Sequence, residues 1–238
     1  MKWFVPLLLG VVIEAVASVP FAMAAAGDPL VLELFTSQGC SSCPPADRYL
    51  GELQRERPDV LVLDFHIDYW DSLGWKDPFS MPAATARQQT YDRLLGSEVY
   101  TPQLVVGGSR QAVGSDQDAV AAAIAEATAD RAALPPVALG LSDRGSGLTV
   151  DAASGSGSGE IWLVGYDDRH VTAIGRGENG GLTETEVDIV RSIRPIAMWS
   201  GGALHVDVPR PAGQRAAVLL QQADGRIRAA AALSSAGS

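Results

Sequence analysis

Residues 30–57 constrain the rest of the chain more than any other stretch. An apolar run, Leu30-Val-Leu-Glu-Leu-Phe35, leads through Thr36-Ser-Gln-Gly39 into Cys40-Ser-Ser-Cys43, then Pro44-Pro45 and a segment from Ala46 to Arg57. A run rich in Val and Leu predicts a buried strand, and Leu50 and Leu53, three apart, fall on one apolar face of a following helix. The two cysteines therefore sit where a strand turns into a helix.

That position carries chemistry. The first turn of a helix has unpaired backbone N–H groups and a positive dipole end, which favour a thiolate over a thiol. Cys40 is expected to be the exposed, activated sulfur and the attacking nucleophile. Cys43, three residues on and one turn deeper on nearly the same face, is close enough to pair with it and is expected to act as the resolving thiol. Pro44 and Pro45 suit the first turn, where a missing N–H costs little.

Other uses of two cysteines compete. A zinc site would need two more good ligands, yet the chain has no second cysteine pair and its three histidines are His66, His170 and His205. The sequence therefore assigns no metal and no cofactor. A static disulfide is the stronger rival, since two cysteines in an exported protein often simply pair. Cu(I) handling would suit two soft thiolates, but the sequence places no Met or His close to Cys40.

Compartment is read from the start of the chain. Lys2, the apolar run to Ile13 and Ala22-Met-Ala24 give the pattern of a secretory signal over residues 1–24, although Glu14 interrupts it. The uninterrupted apolar run is shorter than the roughly 20 residues of a spanning helix, so a membrane location after cleavage is not expected. A periplasmic or secreted protein follows. The formal net charge is −10 and the basic residues are scattered, which argues against a nucleic-acid partner.

Further along, Val60 to Ile67 predicts a second strand, parallel to the first and joined to it by a right-handed crossover. Asp68 to Phe79 is irregular and dense in aromatics and carboxylates. Within it Trp70, Trp75 and Phe79 either cover a sheet edge or rim a groove beside Cys40. His66 reads as a hydrogen-bonded core histidine rather than a catalytic base. Ser80 is placed as the cap of a helix running to Leu95 and stopped by Gly96. A strand at Leu104-Val-Val106, entered through Thr101-Pro102, stands where thioredoxin folds carry a cis proline facing the cysteines. Gly107-Gly108 predicts a hairpin turn, and Ser115-Asp-Gln-Asp118 opens an Ala-rich helix ending near Leu134.

Several of these segments together resemble a known family. Leu32-Glu-Leu-Phe-Thr-Ser-Gln-Gly-Cys-Ser-Ser-Cys-Pro-Pro-Ala-Asp47, His66-Ile-Asp-Tyr-Trp-Asp71, Gly74-Trp-Lys-Asp-Pro78, Tyr100-Thr-Pro-Gln103 and Arg176-Gly-Glu-Asn179 look like the thioredoxin-like secreted proteins of domain-of-unknown-function family 1223. The resemblance implies an α/β thioredoxin-like fold with an accessory β region. It also favours a functional loop at 176–181, with Arg176, Glu178 and Asn179 as binding residues beside Trp70, Trp75 and Thr101.

Beyond Pro135-Pro136 the composition changes to short alternating strands broken by Gly and Ser. Seven candidates, at 137–141, 147–152, 160–166, 170–175, 187–196, 203–208 and 216–222, predict a small β-sandwich. The expected organisation is a signal at 1–24, a thioredoxin-like domain at 25–134 with an insertion at 68–96, and a β-sandwich at 137–238. The expected function is an exported thiol–disulfide oxidoreductase using Cys40, Cys43 and Pro102, whose partners are protein or small-molecule thiols and disulfides. The rival from another class is a binding module in which the Cys40–Cys43 bridge is static.

Overall fold

The computed structural model describes residues 28–233; the signal expected at 1–24 lies outside them. The chain is a mixed α/β protein. Its first half runs β1 (Leu30–Thr36), α1 (Pro44–Glu56), β2 (Val60–His66), α2 (Pro82–Leu95), β3 (Gln103–Val106), β4 (Arg110–Val113) and α3 (Gln117–Ala132). The second half is all β: β5 (Leu139–Asp143), β6 (Leu148–Ala152), β7 (Gly159–Ala173), β8 (Thr183–Trp199), β9 (Leu204–Val208), β10 (Arg215–Gln221) and β11 (Ile227–Ala232).

Strand β1 is buried along its whole length because both faces of the sheet are covered. Leu30, Leu32 and Leu34 face α1 and α3, where they meet Leu50, Leu53, Val120 and Ile124. Val31 and Phe35 face the other way, toward Tyr91 of α2. In β2 the same alternation puts Leu61, Leu63 and Phe65 on the α2 side and Val62 on the α1 side. Asp64 and His66 share the face of Val62 at the carboxyl end of the strand, so two polar side chains are folded in under the start of α1.

The two halves share one sheet. Its order is β11-β10-β7-β8-β2-β1-β3-β4, with β1 parallel to β2 and the seam between halves made by β8 running parallel to β2 at Asp64 and Ile189. A second sheet, β5-β6-β9, covers only the far end. There Val137, Leu148 and Val150 pack on Ile161, Leu163, Val218 and Leu220. The expected C-terminal sandwich is thus only half independent, because four of its strands extend the sheet of the first half. Strand β10 shows why: Ala216-Ala-Val-Leu-Leu220 is apolar on both faces and is buried on both, as a strand between two layers must be.

Local expectations are corrected in four places. Residues 160–166 and 170–175 belong to one long strand, β7, which pairs with β8 through two register shifts at Ile161/Trp162 and Gly165/Tyr166. Residues 227–232, unassigned from sequence, form β11. Helix α2 begins at Pro82 after Met81, so Ser80 is not its cap; its hydroxyl donates instead to Asp71 at 2.8 Å. The cap of α3 is Asp116, whose side chain accepts from Ala119 N.

Candidate functional site

Cys40 and Cys43 are joined in a disulfide, with Cα atoms 5.4 Å apart. The chain leaves β1 through two successive turns, Cys40 N donating to Ser37 O at 3.0 Å and Cys43 N to Cys40 O at 3.1 Å. Asp47 N then donates to Cys43 O at 3.2 Å and α1 is under way. Cys43 caps the helix without a side-chain acceptor, and Pro44 and Pro45 fill its first turn, where neither needs an N–H.

Facing the bridge is the segment that enters β3. The Thr101–Pro102 peptide is cis. Thr101 Oγ1 donates to Cys40 Sγ at 3.3 Å and accepts from Trp70 Nε1 at 3.0 Å. Ser42 Oγ lies 3.3 Å from the same sulfur and donates to Thr101 O at 3.4 Å. Trp70, Thr101 and Cys40 therefore form one hydrogen-bonded row. Pro102 is buried behind it.

The expected exposure of Cys40 is not found: it is 1% exposed and Cys43 is 0%. Its sulfur is flanked by Thr101 and Ser42, and the loop between β7 and β8 lies against the backbone of its turn. Asn179, itself buried, donates its side-chain amide to Gln38 O and to Cys40 O, both at 2.9 Å. Glu178 accepts from Ser41 N at 3.2 Å, and hydrogen bonding from the Ser41 side chain and then its backbone holds the Glu178 carboxyl below the usual range. The loop approaches closely because glycine meets glycine: Gly74 and Gly177 both have left-handed φ values, of 110° and 79°. A Cβ on Gly177 would come within 3.1 Å of Trp75 Cβ. Arg176 is exposed, whereas Glu178 and Asn179 hold the cysteine loop. Trp75 reaches that loop too, donating to Gln38 Oε1 at 3.0 Å.

Beneath the bridge is a buried acidic cluster. His66, wholly buried, bonds Asp77 through Nδ1 at 2.7 Å, and its Nε2 lies 3.4 Å from Asp64 and 3.7 Å from Glu186. Gln38 ties the cluster to the cysteine loop, its N donating to Asp77 Oδ2 and its Nε2 to Glu186 Oε2, both at 2.8 Å. Asp47 from α1 and Glu184 and Asp188 from β8 complete it, all three buried. Burial alone would lower the histidine, but Asp77 and Asp64 more than offset it and raise it well above its ordinary value. Burial, then the Asp64 and Glu186 charges, raises Asp47 well above the usual carboxylate range. Burial likewise pushes Glu184, Glu186 and Asp188 to about 7. Among the described residues no three His, Cys, Asp or Glu side chains are grouped as a metal ion would need.

Of the residues singled out in the sequence, Cys40, Cys43, Thr101, Pro102, Trp70, Trp75, Glu178 and Asn179 are brought together. Phe79 instead packs between the rings of His66 and His170, with centroids 5.4 and 4.8 Å away. Sequence reasoning missed Gln38, Asp47, Asp64, Asp77 and the acids of β8. A signal for the last was present: Glu184-Thr-Glu-Val-Asp188 places an acid at every second residue, which puts all three on one face of a strand.

Residues 31–221 match a family described as "Protein of unknown function (DUF1223)". The chain belongs to that family. A crystal structure of an Agrobacterium tumefaciens protein resembles it with a TM-score of 0.73 at 29% identity, covering 86% of this chain and 93% of the other. HBP35 of Porphyromonas gingivalis shares the fold at a TM-score of 0.57 and 13% identity, covering 87% of this chain and 75% of its own. No curated protein matches the chain.

Proposed function

We propose that this DUF1223 protein is an exported thiol–disulfide oxidoreductase built on a thioredoxin-like core. The reading is carried by one observation: a Cys-x-x-Cys disulfide at the N-terminus of α1 whose first sulfur accepts a hydrogen bond from Thr101, at the entrance to the strand opposite. A structural staple has no need of a helix N-terminus or of a hydroxyl aimed at its sulfur. In support, the order β-α-β-α-β-β-α of the first half is that expected of a thioredoxin-like core. Export rests on the signal pattern of residues 1–24 and on a cysteine pair suited to an oxidising space. The substrates would be thiols and disulfides of proteins or small molecules.

The burial of both sulfurs favours a second reading, a static bridge in a binding module. Equilibration of the purified protein in thiol redox buffers, followed by alkylation, separates the two. A reversible two-thiol couple within the range of known oxidoreductases supports catalysis. A potential below about −300 mV marks the bridge as structural.

A further inference from the structure

Arg228, the second residue of β11, is 6% exposed, and a guanidinium is always charged. A buried charge is ordinarily matched by an opposite one. Arg87, the other buried arginine among the described residues, follows that rule with Glu33. Arg228 reaches no carboxylate among the described residues. Its partners are two backbone carbonyls, Ser156 O, to which Nη1 donates at 2.7 Å, and Pro135 O, to which Nη2 donates. These contacts leave Nε and one hydrogen on each terminal nitrogen for another acceptor.

Arg228 lines a cavity of ≈ 450 Å³, a size typical of small-molecule sites. The cavity lies at the amino end of β1, between the end of α3, residues 134–136 and β11, so both halves of the chain contribute walls. The seven residues of β1 keep it about 20 Å from the disulfide at the other end of the strand. Leu30, Leu134, Pro135 and Pro136 make part of the wall apolar. Its two carboxylates are each held by another arginine, Asp28 by Arg131, and Asp59 by Arg57 at 2.7 Å. Asp28 Oδ1 also accepts from Ala230 N at 2.7 Å, which fixes it against β11. The acids of the wall thus cancel against their own partners, and the positive charge of Arg228 is left unmatched.

We propose that this cavity binds a small organic monocarboxylate, with its carboxylate on Arg228 and its apolar body against Leu30, Leu134 and the two prolines. A planar carboxylate matches the edge of a guanidinium through parallel hydrogen bonds. A single negative charge balances the single unmatched positive one. A phosphate dianion would exceed it and leave the apolar wall uncovered. Because Arg228 also holds Pro135 O, in the segment that joins α3 to β5, the bound carboxylate sits on the joint between the two halves. The site is independent of the redox reading and serves equally in a binding module.

The test is isothermal titration calorimetry of the full chain with sodium benzoate, benzyl alcohol and inorganic phosphate at matched ionic strength. Benzoate is expected to bind one to one, with an affinity that stays constant from about pH 6 to 9 because a guanidinium does not titrate there. Benzyl alcohol, the same ring without the charge, is expected to bind at least about tenfold more weakly, and Arg228→Gln to weaken benzoate by a similar factor. Arg228→Gln also releases Ser156 O and Pro135 O and so can loosen the joint. Ala132→Trp is therefore the second variant, since it fills the cavity from the exposed end of α3 and leaves Arg228 in place. It is expected to abolish benzoate binding without shifting the urea midpoint. Benzoate that binds Ala132→Trp as it binds the wild type, or that does not bind the wild type at all, overturns the proposal and leaves Arg228 as a tie between β11 and residue 135. Phosphate that binds more tightly than benzoate overturns the carboxylate assignment.

Discussion

The side-chain amide of Asn179, from the β7–β8 loop, donates to the backbone carbonyl of Cys40 at 2.9 Å, and its second hydrogen goes to Gln38 O at the same distance. One buried residue of the accessory region thus fixes both ends of the turn that presents the first cysteine. Truncating it leaves two buried carbonyls without donors, a loss of about 1–3 kcal/mol. Asn179→Ala should therefore lower stability by that amount in urea unfolding. Because the same loop lies against the turn that carries Cys40, loosening it should also make reduction by dithiothreitol faster. Slower or unchanged reduction in the variant would mean that the loop orders the site without shielding it.

The roles of the two sulfurs are separable by trapping. Cys40 touches Thr101 and borders the exposed Ser41 and Ser42, whereas Cys43 is wholly buried at the cap of α1. An attacking thiolate has to reach its partner, so only Cys40 qualifies. Cys43→Ser should accumulate mixed disulfides with added thiol-reactive partners, and Cys40→Ser should accumulate almost none. Mass spectrometry of the two variants after the same exposure checks this, and equal trapping by both would remove the assignment.

Stability should fall as pH rises. Glu184, Glu186 and Asp188 have folded values near 7, against ordinary values of 4.5, 4.5 and 3.8. Between about pH 4 and 7 the folded chain binds more of these protons than the unfolded chain does, so the stabilisation is complete below that window and is lost across it. His66, also raised, acts in the same direction at higher pH. Asp77 is lowered and opposes them, its contribution being complete above the ordinary carboxylate range. Each pKa unit is worth about 1.4 kcal/mol, so even with the groups coupled the net loss should reach several kcal/mol, on the order of 3 or more. Thermal unfolding at pH 4.5 and 7.5 measures it. A melting temperature that rises over this interval would contradict the charge assignment of the cluster, and Glu186→Gln should flatten the dependence.

The legibility of this protein in its sequence follows how local each signal is. The strand–Cys-x-x-Cys–helix unit, the Thr101-Pro102 entry to β3 and the Gly107-Gly108 turn, with φ of 57° and 68°, depend on neighbours within a few residues and could be read directly. The tie between Asn179 and Cys40 could not, because the two residues are 139 positions apart. The single sheet running through both halves was hidden for a related reason: β8 joins β2 at one register point, Asp64 with Ile189, and no turn chemistry announces a pairing between strands so far apart. The acidic face of β8 reads as solvent-exposed until α1 and β2 are seen to cover it.

A second buried charge site offers the sharpest energetic test. Glu33, in the middle of β1, is completely buried, and Arg87 of α2 meets it through Nε and Nη2. Tyr91 donates its hydroxyl to the same carboxylate, and Gln221 of β10 bonds both Tyr91 at 2.9 Å and Arg87 at 3.2 Å. The rings of Tyr91, Trp162 and Phe65 surround the guanidinium at 5.1, 5.5 and 5.8 Å. The network clamps α2 onto both halves of the shared sheet. Removing one charge strands the other in the core, so Arg87→Met alone should cost about 3–5 kcal/mol. Adding Glu33→Leu removes the stranded carboxylate, and the double variant should be more stable than the sum of the single losses by about 2 kcal/mol or more. Urea unfolding of the two single variants and the double variant yields that coupling directly. Losses that add to within about 0.5 kcal/mol would show that the pair does not act as a unit and that α2 is held by its apolar contacts with Phe35, Phe65 and Ile227 instead.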